Sequence, residues 1–465
     1  MTAPPNRATS FSSSSPGASL IHKSLKYKSL APAVLAVAIF LASGTIQPML
    51  VSQSWPGALG AFPGDRSPAV AAAALRFVRF DAGLPASGQW REGFRIADMN
   101  GDGHLDIVHG PPRKQPGPPV IFLGDGRGSW TQWKDARFPS LPYDYGDVEV
   151  ADFNGDGHLD IALAVHLRGF FVLTGDGHGN FSNASAGLEG DFSSRAIRVT
   201  DWNGDGLPDL IAVSEGLGQA SSQSLADRDG VVVFLNQGPH GWRKSERSLS
   251  KGIYSDSIAL GDFDGDGHLD IATGSSVIDR KDLVKLWRAD GVATPLAVDL
   301  PGTHQFVQAV AAGDFDNDGE DDLAVAYVSL ENDIWYSALD LFYARAGGRW
   351  ERLSLSKEAS EEGPVALATG HLLGKGALDL VALTAQGKTV VYLADGHGGL
   401  VRNSPNLPVY GGGCRGAHVQ LADLDGDGRD EIIAAFADEP GDRCSSGGGI
   451  TAWKSIEGQP KRPLD

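Results

Sequence analysis

The sequence predicts an all-β fold: a seven-bladed β-propeller of four-stranded antiparallel blades, with an N-terminal strand closing the last blade. Three observations predict it. An acidic nonapeptide recurs along the chain, each copy sits between two strand-like segments, and the final repeat lacks a fourth strand that the segment ahead of the first copy can supply.

The nonapeptide begins at 98, 152, 201, 262, 314, 371 and 423, at intervals of 54, 49, 61, 52, 57 and 52 residues. A period near fifty marks a repeat architecture. Alternation precedes the loops, as in Phe94–Asp98, Val148–Asp152 and Ile197–Asp201, and apolar runs follow them, as in Leu105–Val108, Ile161–Val165, Leu210–Val213, Leu323–Ala326 and Glu431–Ala435. Both read as strands. Third strands are expected at Val120–Leu123, Phe170–Leu173, Val231–Leu235, Val284–Trp287, Leu339–Tyr343, Val390–Leu393 and Ile450–Trp453, often followed by a Gly/Asp turn and a fourth. One such sheet cannot bury both faces, whereas seven set radially can. The seventh repeat runs out after its third strand, and Leu75–Phe80 is expected to complete it.

The loops carry the chemistry. Side chains at positions one, three, five and nine, with the backbone carbonyl at seven, can converge on a hard cation such as Ca²⁺. The glycine at six permits the turn around it. The expected ligand sets are Asp98, Asn100, Asp102, His104 and Asp106; Asp152, Asn154, Asp156, His158 and Asp160; Asp201, Asn203, Asp205, Leu207 and Asp209; Asp262, Asp264, Asp266, His268 and Asp270; Asp314, Asp316, Asp318, Glu320 and Asp322; and Asp423, Asp425, Asp427, Arg429 and Glu431. About six Ca²⁺ ions are expected, mainly structural. The seventh copy, His371–Asp379, is degenerate, with His371, Leu373 and Lys375 at ligand positions. An EF-hand needs a bidentate acid at position twelve. That position holds His109, Leu163, Ala212, Thr273, Val325 and Ala434, so the EF-hand is excluded.

The chain has 465 residues, 61 Gly, 26 Pro and a net charge of −19. Much of that charge lies in the loops, where carboxylates without an ion repel one another. No basic stripe offsets it, which argues against nucleic acid as a partner. Residues 1–44 read as a secretory signal or, alternatively, an uncleaved anchor, with Lys23, Lys26 and Lys28 ahead of Ala31–Ala42 and a small-residue cleavage site at Ala42-Ser43-Gly44. Residues 45–73 read as a Pro/Gly/Ala linker, 74–456 as the propeller and 457–465 as a polar tail. The expected location is secreted, periplasmic or cell-surface, where Cys414 and Cys444 would form one disulfide.

The six intact loops resemble the FG-GAP/VCBS repeat family, to which the propeller of integrin α subunits belongs. The resemblance covers about residues 75–455. It implies a seven-bladed propeller with calcium loops between the first and second strands of a blade, on the face opposite the usual ligand face. It also implies that not every blade holds an ion, and Lys375 is expected to take the ion's place in the sixth, paired with Asp379.

On the other face, Trp90, Tyr145, Phe192, Tyr254 and Phe306 recur ahead of the first aspartate, joined by Tyr143 and Tyr410. A position locked to the repeat is read first as packing between blades. Trp335 and Tyr336, in the insertion Ser329–Ala338, depart from the repeat and are stronger ligand candidates. The ligand-binding set is therefore Trp90, Tyr143, Tyr145, Tyr254, Trp335 and Tyr336. No Gly-x-Ser-x-Gly, His-Glu-x-x-His or phosphate-binding loop is present. The expected function is an exported calcium-binding propeller that serves as a binding or adhesion module for protein or carbohydrate. The alternative is a polysaccharide lyase or hydrolase, with His166, Arg168 and His304 as channel candidates.

Overall fold

Each blade is a sheet whose second strand is largely or wholly buried. Asp160–Val165, Asp209–Ser214, Asp379–Thr384 and Glu431–Ala437 are buried throughout. Such runs require cover on both faces, which the neighbouring blades provide. The short outer strands of the first two blades bury only their leading aromatic, Trp130 or Phe181.

The computed structural model describes residues 75–456, apart from 115–116, 189–191, 216–228, 246–248, 250, 252–253, 275–283, 288–295, 299–303, 361, 375, 404–406, 411–412 and 439–443. All of these lie in the compact unit Pro68–Asp465.

Seven four-stranded antiparallel sheets follow in chain order. Blade 1 comprises Phe94–Ala97, Asp106–His109, Val120–Gly124 and Trp130–Gln132. Blades 2 to 6 begin with the inner strands Val148–Ala151, Ser194–Thr200, Ile258–Gly261, His304–Gly313 and Pro364–Gly370. Blade 7 begins with Arg415–Ala422 and ends with Gly448–Ile456. Inner strands of successive blades pack together, and that of blade 7 meets that of blade 1, so the ring closes. The closing strand is Arg76–Arg79, antiparallel to Gly448–Ile456 with Phe77 opposite Ser455 and Arg79 opposite Trp453. Leu75 and Phe77 are buried in one core cluster with Trp453, so an N-terminal strand and the last blade share a core.

Two expectations change. The insertion Ser329–Ala338 is not a loop: Asp322–Glu331 and Ile334–Arg345 are long strands joined at Asn332 and Asp333, whose φ angles are 50° and 63°. This two-residue turn of left-handed residues suits a hairpin. Blade 4 gains an outer strand, Leu296–Val298, that the sequence reading did not assign. Lys375 and residues 1–74 lie outside the described residues. Cys414 and Cys444 are disulfide-bonded within blade 7. Among the described residues no helix is long and apolar enough to cross a membrane.

Candidate functional site

Each acidic loop joins the first and second strands of its blade, so all emerge on one face. In blade 1 the loop folds around its own carboxylates. Asp98 Oδ1 accepts the N–H groups of Gly101 (2.8 Å) and Asp102 (3.1 Å), and Oδ2 accepts that of Gly103 (2.8 Å). Asn100 accepts from the Asp102 N–H at 3.0 Å, and its amide donates to Asp102 Oδ2 at 2.9 Å. Asp102 Oδ1 accepts the His104 N–H. Blades 2 and 3 repeat the pattern through Asp152, Asn154 and Asp156, and through Asp201, Asn203 and Asp205. The turns need left-handed backbone at position six, as at Gly103 (φ 88°), and at position four, where blade 5 uses Asn317 (φ 60°).

The ninth residue has a different task. Asp106 Oδ2 accepts the Met99 N–H and Oδ1 accepts the Gly124 N–H of the third strand, both at 2.9 Å. Asp160, Asp209 and Asp322 tie their loops and third strands in the same way. Burial, reinforced by the loop's other carboxylates, pushes Asp106, Asp160 and Asp209 up to about 6, Asp322 to about 7 and Glu431 to about 8.

Three loops bring carboxylates within 4.8 Å of one another: Asp262, Asp264 and Asp266; Asp314, Asp316 and Asp322; and Asp423, Asp425 and Glu431. Buried oxygens with no hydrogen-bond partner among the described residues, Asp316 Oδ1, Asp425 Oδ1 and Glu431 Oε1, belong to two of these clusters. An all-oxygen set of this kind fits a hard divalent cation. The position-seven side chains His104, His158 and His268 are exposed. Asp270 is buried; Asp318, Glu320, Asp427 and Arg429 are partly or fully exposed.

Position eight was not foreseen as functional. Asp321 accepts the Asp262 N–H (2.9 Å) and returns its own N–H to the Asp262 carbonyl (2.8 Å). Asp430 does the same with His371, at 2.6 and 3.0 Å. Each tie joins the loops of adjacent blades. Its signal in the sequence is a carboxylate at position eight, found only in those two copies.

On the opposite side, a cavity of about 160 Å³ is lined by residues from the inner edges of all seven blades. Its charges come in two tiers. Of the lining residues, Arg198 and Asp147 share a network with Arg95 and Glu149, which lie outside the lining: Arg198 lies 3.0 Å from Asp147 and 3.5 Å from Glu149, and Arg95 pairs with both acids. Burial and the adjacent Arg95 push His418 down to about 3, leaving a neutral ring against Phe94. Nearer the strand starts, Arg195 meets Glu215 (2.8 Å), Asp256 (2.8 Å) and Glu92 (3.4 Å). Glu92 has φ 76°, a strained conformation for a residue with a side chain, and Arg91 also pairs with it. Arg415 lines the cavity and makes no ion pair among the described residues.

The aromatic expectations divide. Trp90, Phe192, Tyr254 and Tyr410 are buried. Trp90 and Tyr254 are therefore corrected from ligand candidates to core residues; Trp90 packs on Phe122 and donates to Ser87. Half-buried Tyr143 donates to Pro139 O, and Tyr145 stacks on His166, which pairs with Glu215 at 2.8 Å. Trp335 lies against Phe306, and Tyr336 lies beneath Lys357, on the long blade-5 hairpin. Arg168 reaches Asp144 at 3.9 Å, and the side chain of His304 lies outside the described residues. None of these aromatics lines the axial cavity. Its charged residues come from different blades with no shared spacing, so no sequence motif marks them.

Residues 98–163, 224–273 and 372–434 match the model of the FG-GAP-like repeat. Human Cartilage acidic protein 1 is 29% identical over 167 residues, covering 33% of this chain and 24% of that protein. The mouse protein of the same name is 28% identical over 167 residues, 33% of this chain and 25% of its own. The match thus spans about a quarter of the length of these relatives. Among solved structures, BBS1N in complex with ARL6DN, soaked with lead, aligns with a TM-score of 0.48 at 11% identity, covering 83% of this chain and 98% of that one.

Proposed function

We propose that this chain, a seven-bladed propeller carrying FG-GAP-like repeats, is an exported binding or adhesion module, braced by calcium on one face and taking a protein or carbohydrate ligand at the axial cavity of the other. The cavity carries this reading: every blade contributes to it, so a ligand there gains from the whole ring. Arg415, with no ion pair among the described residues, and Asp256, whose side chain is 46% exposed, are the charges best placed to meet a polar ligand.

Calcium would be held by positions one, three, five and nine of the six intact loops, with the carbonyl at seven. It would supply the positive charge that their crowded carboxylates lack. An ion that binds only the folded loop stabilises the fold. The buried oxygens Asp316 Oδ1, Asp425 Oδ1 and Glu431 Oε1, which accept no hydrogen bond among the described residues, support that role. The Cys414–Cys444 bond supports an oxidising compartment, where such bonds persist.

The test is an array of glycans and extracellular proteins probed with the full chain in calcium and in EDTA. Calcium-dependent binding without turnover, lost in Arg415→Ala, is expected. Release of oligosaccharide products would replace the module with an enzyme, and binding unaffected by Arg415→Ala would move the ligand away from the axis.

A further inference from the structure

Two acidic loops contain a cation of the chain's own. In blade 7, Lys454 Nζ pairs with Asp425 Oδ2, lies 2.8 Å from Asp427 Oδ2 and stands 4.0 Å from Glu431 Oε1. In blade 5, Arg345 reaches Asp316 Oδ2 at 2.8 Å and Asp318 Oδ2 at 3.0 Å. Both bases come from the third strand. Lys454 follows Trp453, which faces Ile432; the residues in the same register in blades 1 to 3 are Leu123, Thr174 and Leu235. Arg345 lies two residues further along the same side of its strand.

Position three explains why the bases are there. Blades 1 to 3 carry asparagine, whose amide donates to Oδ2 of position five at 2.9 Å in all three loops. Blades 5 and 7 carry aspartate, which has no proton to donate, so two carboxylate oxygens would face each other. The base bridges that pair of oxygens in place of the amide. It also restores the charge: three carboxylates in the asparagine loops, and four with one fixed base in blades 5 and 7. The oxygens Asp316 Oδ1 and Asp425 Oδ1 accept no hydrogen bond among the described residues.

We propose that Lys454 and Arg345 are resident surrogate cations. They hold the loops of blades 7 and 5 in shape without metal, and they oppose the entry of a divalent ion. A fixed ammonium is attracted to the empty cage and repelled once Ca²⁺ enters it. It therefore stabilises the metal-free state more than the loaded one, and by linkage its removal tightens metal binding. Only this last consequence rests on the calcium reading above.

The test uses the full chain as wild type, Lys454→Met and Lys454→Met/Asp425→Asn. Each is melted in EDTA and in saturating CaCl₂ and titrated with Ca²⁺ by calorimetry. Lys454→Met is expected to melt below wild type in EDTA and to recover most of the difference in calcium. One site should bind Ca²⁺ about tenfold tighter, the scale of one unit charge removed near a divalent ion at a partly exposed site. Asp425→Asn, which gives blade 7 the asparagine of blades 1 to 3, should restore the EDTA melt. If Lys454→Met melts with wild type in EDTA or is not rescued by Asp425→Asn, the surrogate role is overturned; if wild type responds to Ca²⁺ and Lys454→Met falls equally in both buffers, Lys454 does not oppose the metal. If no protein responds to Ca²⁺, the calcium reading fails while the EDTA melts and the rescue still decide the surrogate.

Discussion

Blades 1 and 6 build the same turn from different parts. In blade 1, Asp98 gathers three backbone N–H groups and Asp102 a fourth, so the turn is wrapped around carboxylates. In blade 6 the position of Asp98 is taken by His371, and the turn closes through a backbone bond from Gly374 N–H to the His371 carbonyl at 3.1 Å. One carboxylate survives. Asp379 still accepts the Leu372 N–H (2.9 Å) and the Ala394 N–H (2.8 Å), as Asp106 does with Met99 and Gly124. The blade that has lost its cage thus separates two roles. Position nine joins loop to sheet even where positions one, three and five carry no carboxylate.

The strongest way to break this division is to remove the surviving acid. Asp379→Ala leaves two N–H groups unsatisfied, one of them on buried Leu372, at a cost of about 1–3 kcal/mol each. Chemical denaturation should show that loss equally in calcium and in EDTA. A loss confined to calcium buffer would mean that blade 6 holds an ion and that the two roles are not separate.

Asp102→Ala is the complementary case. Its backbone bond to His104 is exposed, so little should be lost in EDTA. In calcium at a hundredfold excess over Kd, the variant should forfeit about 2.7 kcal/mol of ion-linked stability. His371→Ala should show no calcium term. Equal calcium responses in the two variants would erase the contrast between the blades.

Asp430→Ala tests how far the blades depend on each other. It removes the acceptor of the His371 N–H, tying blade 6 to blade 7, and should cost about 1 kcal/mol whatever the metal. A larger loss in EDTA would show the tie acting through the blade-7 cage, whose Glu431 is the next residue.

The loops themselves can be read along the chain, because their residues are neighbours in sequence and recur at a fixed spacing, although position nine reads there only as one more ligand. Asp106 stands out for that reason, as does the closing strand, since a repeat missing one strand must borrow it. What the sequence hid depends on register across strands. Lys454 reaches Asp425 from 29 residues away, and its meaning appears only once Trp453 is set opposite Ile432. The axial network draws Glu92, Asp147, Arg195 and Asp256 from four blades, with no shared spacing. The blade-5 hairpin turns on Asn332-Asp333, which lacks the glycine that usually announces such a turn.

The smallest effect lies along the pH axis. Burial first, and then the neighbouring carboxylates, hold the protons on Asp106, Asp160 and Asp209 up to about 6, on Asp322 to about 7 and on Glu431 to about 8. Ordinary carboxylates release theirs near 4. A raised folded value means that the fold binds the proton more tightly than the unfolded chain does. That contribution is complete below the unfolded value and is lost as pH climbs through the folded one. In EDTA the melting temperature should therefore fall from about pH 4 to about pH 8. Calcium places fixed positive charge where the protons were, so the fall should flatten in its presence. Burial raises Asp379 as well, but no cage surrounds it. Asp379→Asn should thus remove part of the slope in both buffers, whereas Asp106→Asn should remove part of it in EDTA alone. Equal slopes with and without calcium would show that the loop carboxylates are not neutralised by metal, and the contrast between blades 1 and 6 would then be one of backbone shape only.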